Sequence, residues 1–310
     1  MTWINEAIDL AENGVSWRKI AKQLNKSKST VSDALRKHFK GYTRPSDVMG
    51  KGVVRDATKN SPRILVLDIE TRQMLLGGFG LFNQNFSIEQ IEEDWSIISF
   101  SAKWVGEDEV IYMDVSENTE DELLSVLHNL LNEADFTITH NGRRFDHKKI
   151  RARMIARGFK PHSPVRIIDT FEVVKKEFGF TSNKLAYLTQ LLCKKNVKSG
   201  HEKFPGYMLW REFLRGNPEA ISEMREYNII DVLSLEELYF ILAPWSTTLP
   251  VFEVYDDEVS DMSDWVEDGF HYSNLGKYRR YRNIKTGQYR RGRVNELSKE
   301  KRKSLLANII

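Results

Sequence analysis

Three short segments of the 310-residue chain carry side chains whose types and spacing can do chemistry. The first is Asp68-Ile69-Glu70-Thr71, at the end of the apolar run RILVLDI. A nearly continuous apolar run predicts a buried strand over Arg63–Ile69, and strand alternation sends Asp68 and Glu70 to one face. Two carboxylates so placed can reach one cation. The second segment is Thr139-His140-Asn141-Gly142-Arg143-Arg144-Phe145-Asp146, a short strand entering a polar, Gly-containing turn before a helix that opens at Asp146. Alone, Asp146 reads as an N-cap. The third is Tyr227-Asn228-Ile229-Ile230-Asp231, in a long helical stretch. Tyr227 and Asp231 are four apart and share one helical face; by themselves they are a half-buried tyrosine beside a surface acid.

The elements that must hold these segments follow from periodicity. Trp95–Trp104 and Glu109–Val115 predict two more strands, and Phe136–Thr139 a short one. Helices are predicted over Glu120–Glu133, Asp146–Gly158, Thr170–Phe178, Asn183–Leu192 and Pro218–Leu242, the last ending before Pro244. A strand meander followed by alternating strands and helices implies an α/β fold, a mixed sheet flanked by helices. Ahead of it, Val15–Leu24, with Ser16 as N-cap, and a stretch from Ser29 to Phe39 predict two short helices joined by a turn. That is a helix-turn-helix, with Ala21, Leu24, Val31 and Ala34 in the seam and Asn25 supplying a left-handed turn residue. The expected domains are 1–40, a linker over 41–61, 62–245, an acidic linker over 246–270, and a basic, aromatic-rich tail over 271–310.

Taken together and in this order, the three segments resemble the DEDD superfamily of 3′–5′ exonucleases, of RNase H-like (DnaQ-like) fold. Tyr227-x-x-x-Asp231 looks like the DEDDy branch, whose sister branch has His at the Tyr position. Ile168-Asp169-Thr170 and Lys184-Leu185-Ala186-Tyr187-Leu188 lie where the family would place supporting pieces, and the resemblance spans roughly 62–245. It implies a metal-dependent nuclease that hydrolyses phosphodiester bonds at a 3′ end and releases nucleoside monophosphates. Two divalent ions, Mg2+ or Mn2+, suit hard carboxylate oxygens and the charge that develops on phosphoryl oxygens. By motif, Asp68, Glu70 and Asp231 hold the first metal. Asp68 bridges to the second, with Asp146 acting there directly or through water. Tyr227 orients the attacking water and helps to deprotonate it, though the metal supplies most of the activation. Asn141 and Phe145 are candidate contacts to the terminal nucleotide, by hydrogen bond and stacking, against turn capping and core packing. His140 reads as structural. The apolar, Gly-rich insertion Gln73–Asp94 is either a wall over the 3′ end or a packed hairpin.

Composition frames this catalytic segment. The chain is 41% hydrophobic and 29% charged with a net charge of only +2, which excludes wholesale disorder. That figure is a cancellation. Residues 1–60 hold 12 Lys+Arg against 6 Asp+Glu (+6), residues 271–310 hold 12 against 2 (+10), and 61–270 hold 22 against 36 (−14). Basic segments suit phosphate. In the helix-turn-helix, Ser29, Thr30, Ser32, Asp33 and Arg36 are the residues that would face a DNA groove, with Lys26 and Lys28 on phosphate. In the tail, Arg279, Arg280, Arg282, Arg290 and Arg291 alternate with Tyr278, Tyr281 and Tyr289, a composition suited to phosphate pairing and base stacking. The tail resembles the core of small zinc-ribbon modules. Asn283 and Thr286 stand where a Cys pair is expected, so no zinc is expected. One cysteine, no 18-residue apolar run and no secretory leader lead to an expectation of a cytoplasmic protein, nucleoid-associated in a bacterial or phage-infected cell, with no membrane partner. DNA, single-stranded or frayed at its 3′ end, is the expected substrate. The chain would act alone or with a polymerase or replication partner in trans. A ribonuclease of the same branch and a non-catalytic helix-turn-helix DNA-binding regulator are the alternatives.

Overall fold

The computed structural model describes residues 3–12, 17–27, 30–31, 34–35, 62–80, 82, 85–197, 203–250, 252 and 261–306. Two units, Met1–Arg55 and Asp56–Ile310, make it up. In the first, helix α1 (Trp3–Glu12) precedes α2 (Trp17–Gln23), and residues 30, 31, 34 and 35 are helical. Ala7, Ile20, Ala21, Val31 and Leu35 form its buried core. Asn25 takes φ 48°, the left-handed conformation expected of the turn. Lys26 N–H donates to Ala21 O (3.0 Å) and Asn25 N–H to Lys22 O (3.4 Å), the paired bonds of a Schellman end. Ser27 Oγ then accepts from Thr30 N (3.1 Å) and pairs with the Thr30 hydroxyl. Lys26 is exposed, its ammonium 5.7 Å from the Trp3 ring. Most of the second predicted helix, with Lys28, Ser29, Ser32 and Arg36, lies outside the described residues.

The second unit is built on a five-stranded sheet of order β5-β4-β1-β6-β7: β1 (Ile64–Thr71), β4 (Ile97–Trp104), β5 (Val110–Asp114), β6 (Phe136–Thr139) and β7 (Arg166–Asp169). The first three strands form an antiparallel meander; β6 and β7 join β1 in parallel. Flanking helices are α3 (Glu120–Glu133), α4 (Asp146–Ala156), α5 (Thr170–Glu177), α6 (Leu185–Leu192), α7 (Tyr207–Leu214) and α8 (Pro218–Leu242). The mixed α/β sheet flanked by helices is the expected fold class. Strand β7 and helix α7 are additions to the predicted elements.

Alternation in β1 sorts its side chains between two cores. Leu65, Leu67 and Ile69 pack with Leu123, Leu124 and Leu127 of α3 and Ile150 and Met154 of α4. Val66 packs on the opposite face with Val232, Leu235 and Tyr239 of α8. The even-numbered positions of β1 therefore look toward α8, and Asp68 and Glu70 are the next two. Two buried charge contacts hold the layers in place. Lys103 of β4 reaches Glu236 of α8 at 2.7 Å. On the other side Glu120 accepts from Ile97 N (2.9 Å) and takes a bidentate pair from Arg153.

The 73–94 insertion contains a short hairpin, β2 (Leu75–Leu76) with β3 (Ile91–Glu93), leaving Phe79 and Phe82 exposed. At the other end, β8 (Trp265–Ser273), β9 (Gly276–Asn283) and β10 (Tyr289–Asn295) form a three-stranded antiparallel sheet of order β10-β9-β8, followed by α9 (Lys299–Ser304). Strand β8 thus starts within the stretch that composition marks as acidic linker, and the basic tail is folded. Asn283 Oδ1 accepts from Lys285 N (3.0 Å) and Thr286 N (2.9 Å), so the two residues in the place of a Cys pair build the β9–β10 turn. Among the described residues no helix is long and apolar enough to cross a membrane. Cys193 is buried, and burial pushes its thiol up to about 11.

Candidate active site

Asp68 and Glu70 leave β1 on the α8 side, and Asp231 meets them from α8. One carboxylate oxygen from each lies within 4.8 Å of the others. It is the one group of three or more potential metal ligands among the described residues. Hard oxygens at this spacing can hold a divalent ion. Tyr227, one helical turn before Asp231, stands beside the cluster. Burial, then the charges of Asp231, Glu70 and Asp68, push its phenol well above the usual tyrosine range. Tyr227 therefore stays a neutral phenol, able to donate a hydrogen bond.

Two side chains that motif spacing did not single out fix the orientation of the carboxylates. Asn228 is fully buried; its Nδ2 donates to Asp68 Oδ2 at 2.7 Å, and its Oδ1 accepts from Ser99 Oγ at 3.1 Å. Ser99 lies opposite Glu70 on β4, so β4, α8 and β1 are joined by one polar chain. Trp210 of α7 donates its indole N–H to Glu70 Oε2 at 3.1 Å, and its ring meets Tyr227 edge-on at 6.0 Å. The amphipathic stretch YMLWREFL could have revealed helix α7. Nothing local points Trp210 at Glu70.

Asp146 reaches the same strand from its edge. Pairing between β1 and β6 ends at Val66 with Ile138, leaving the next outward β1 amide, Ile69 N–H, without a strand partner on that side. Asp146 Oδ1 accepts it at 3.2 Å. The carboxyl is buried, and burial raises its pKa to about 7 against the opposing pull of its hydrogen bonds. Asp146 thus sits next to the three-carboxylate group by way of Ile69 rather than within it. The turn that delivers it is tightly built. Asn141 adopts φ 67°, and a Cβ on Gly142 would fall 2.4 Å from Thr139 Cβ, so only glycine fits. Asp169, in the Ile168-Asp169-Thr170 piece, accepts from Asn141 N (2.8 Å), Arg143 N (3.1 Å) and Phe171 N (3.1 Å). Phe145 is exposed beside Lys149, whose ammonium lies 3.5 Å from the Trp95 ring and 5.8 Å from that of Phe145. His140 pairs with Thr170 Oγ1 (2.8 Å) and Asn183 O (2.9 Å) through its two ring nitrogens, a structural role. His147 pairs with Thr137 Oγ1 (2.9 Å), and burial drops its pKa to about 3, so it is neutral.

The model of the RNase H superfamily matches residues 86–243, just over half of the chain. The chain belongs to that superfamily. No curated protein matches it in sequence. Among solved structures it is similar to a family B DNA polymerase from the hyperthermophilic archaeon Pyrobaculum calidifontis, at 14% identity and TM-score 0.42, over 59% of this chain and 25% of the polymerase. It is also similar to RNase D of Trypanosoma brucei, at 17% identity and TM-score 0.39, over 68% of this chain and 63% of that one. The chain thus covers less than two thirds of either structure's length.

Proposed function

We propose that the protein is a metal-dependent 3′–5′ exonuclease of the DEDDy type that removes nucleoside monophosphates from DNA. The observation that carries this reading is the convergence of Asp68, Glu70 and Asp231 within 4.8 Å on a superfamily fold, with a neutral Tyr227 beside them and Asp146 one strand position away. Asp68, Glu70 and Asp231 would hold one divalent ion, and Asp68 with Asp146 a second. Mg2+ or Mn2+ bound there lowers the pKa of water and stabilises charge on the phosphoryl oxygens.

The chain's own residues do the rest. Tyr227, kept protonated by burial and by the neighbouring carboxylates, donates its phenolic hydrogen bond and so orients the attacking water. Asn228 and Trp210 hold Asp68 and Glu70 in position before substrate arrives. The half-buried Asn141, on its left-handed turn, offers an amide to the terminal nucleotide, and exposed Phe145 offers a ring face for its base. Lys149, over Trp95, supplies a cation beside that ring for a backbone phosphate. The basic N-terminal unit adds attraction for polyanion that the acidic catalytic segment lacks in net charge, and the helix-turn-helix proposed for it favours DNA over RNA as substrate.

The test uses 5′-labelled single-stranded DNA, duplex DNA and RNA, incubated with Mg2+, Mn2+ or EDTA beside Asp68→Ala. Progressive 3′ shortening of DNA is expected with either metal, and none with EDTA or the variant. Cleavage that persists in EDTA or in Asp68→Ala refutes the mechanism, and a preference for RNA refutes the substrate.

A further inference from the structure

The arginines of the C-terminal sheet differ in how their charge is balanced. On one face Arg279 is clamped between Glu267 (2.6 Å) and Glu296 (3.3 Å). On the other, β9 contributes Tyr278, Arg280 and Arg282, and β10 contributes Tyr289 and Arg291. The register sets Arg282 opposite Tyr289 and Arg280 opposite Arg291, in rows about 6.8 Å apart along the strands. Guanidinium groups lie on the rings: Arg291 is 4.2 Å from the Tyr278 centroid, and Arg280 and Arg282 are 5.1 Å and 5.8 Å from that of Tyr289. Gly276 lets Tyr278 lie along the sheet, since a Cβ there would come within 2.6 Å of the ring. Asp268 approaches Arg280 at 3.7 Å. Arg282 and Arg291, both exposed, form no ion pair among the described residues. Tyr289 is half exposed.

We propose that this face is a binding site for single-stranded DNA, with Arg282 and Arg291 on phosphates and the half-exposed Tyr289 as a stacking platform for a base. Guanidinium groups with no carboxylate partner among the described residues complement a polyanion. Ring faces are open to unpaired bases and closed to paired ones, which selects a single strand over a duplex. Of the arginines named from composition, Arg279 drops out, because two carboxylates already neutralise it. The choice of DNA over RNA rests on the proposed function; binding by this face does not.

The experiment measures anisotropy of a fluorescent single strand against salt concentration. It uses the full chain carrying Asp68→Ala, in EDTA, so that no turnover contributes and a failure of the nuclease reading leaves the result interpretable. Tyr289→Ala should weaken binding to the single strand about tenfold, with duplex affinity unchanged. Arg282→Gln with Arg291→Gln should make the slope of log K against log salt shallower by about 1.4. Arg279→Gln removes the same unit charge from the opposite face and should leave the slope unchanged. Equal losses from Arg279→Gln and Arg282→Gln would show diffuse attraction and overturn the proposal, as would an unaffected single-strand affinity in both Tyr289→Ala and the double variant. Tighter binding of RNA of the same sequence would overturn the choice of DNA. Circular dichroism and unchanged thermal midpoints confirm that the variants fold.

Discussion

Replacing Asp231 by asparagine keeps the shape of the site and removes one of three negative charges gathered within 4.8 Å. Two unit charges at that separation repel by about 3.5 kcal/mol at an effective dielectric of 20. Asp231 faces two such neighbours. Asp68 and Glu70 are half-buried, so water and salt screen part of this, and a net relief of about 1–2 kcal/mol is the reasonable magnitude. For a unit of this size that corresponds to a rise of about 2–8 °C in the thermal midpoint. Metal should act in the opposite sense. At a hundredfold excess over its Kd, a bound ion stabilises wild type by about 2.7 kcal/mol, and Asp231→Asn should lose most of that gain. Differential scanning calorimetry in EDTA and with Mn2+ measures both effects. An Asp231→Asn protein that melts lower than wild type in EDTA, or keeps the full Mn2+-dependent rise, would refute the idea that these carboxylates are held together against their own repulsion.

Asn228→Leu takes the amide away from Asp68 without removing a ligand; it should raise the metal concentration for half-maximal activity by about 10–100-fold, as read from Mn2+ titration of initial rates. Asp146 titrates in the opposite sense from a surface carboxylate. Its folded pKa, about 7, lies above its unfolded value, so its contribution to stability is full below pH 4 and is lost as pH rises toward 7. In metal-free protein, urea melts across pH 4–8 should show this loss, on the order of a few kcal/mol, in wild type and not in Asp146→Asn; parallel curves would contradict the burial argument. Gly142→Ala would drive a Cβ against Thr139 and should cost about 1–3 kcal/mol through overpacking, with activity falling further as Asn141 and Phe145 shift. A variant as stable as wild type in urea would show that the turn has room.

Much of the RNase H-like segment was legible from local pattern. The run from Arg63 announced β1, and alternation put Asp68 and Glu70 on one face. The Tyr227–Asp231 spacing put both on one face of α8. Helices α3 and α8 have the predicted bounds, because Thr119 with Glu122 and Asn217 with Pro218 are strong start signals. Strand β7 was harder, since Arg166–Asp169 is four residues long and its only regularity is a short apolar pair. The C-terminal sheet was harder still. Strands β9 and β10 are made mostly of arginine and tyrosine with few aliphatic residues, so hydrophobic periodicity, the usual strand signal, is weak there.

Side-chain type and local spacing therefore determined, by themselves, on which element and face each motif carboxylate stands. Tertiary structure decided what surrounds them. Asn228 reaches Asp68 across 160 residues and Trp210 reaches Glu70 across 140. Such contacts depend on how α7 and α8 pack over the sheet, which no local period encodes. The same holds for Asp146, whose bond to Ile69 exists because β6 stops pairing with β1 at Ile138 and the turn before α4 brings Asp146 back to the strand. It holds for the C-terminal strands too, where the strand pairing decides which arginines meet a carboxylate.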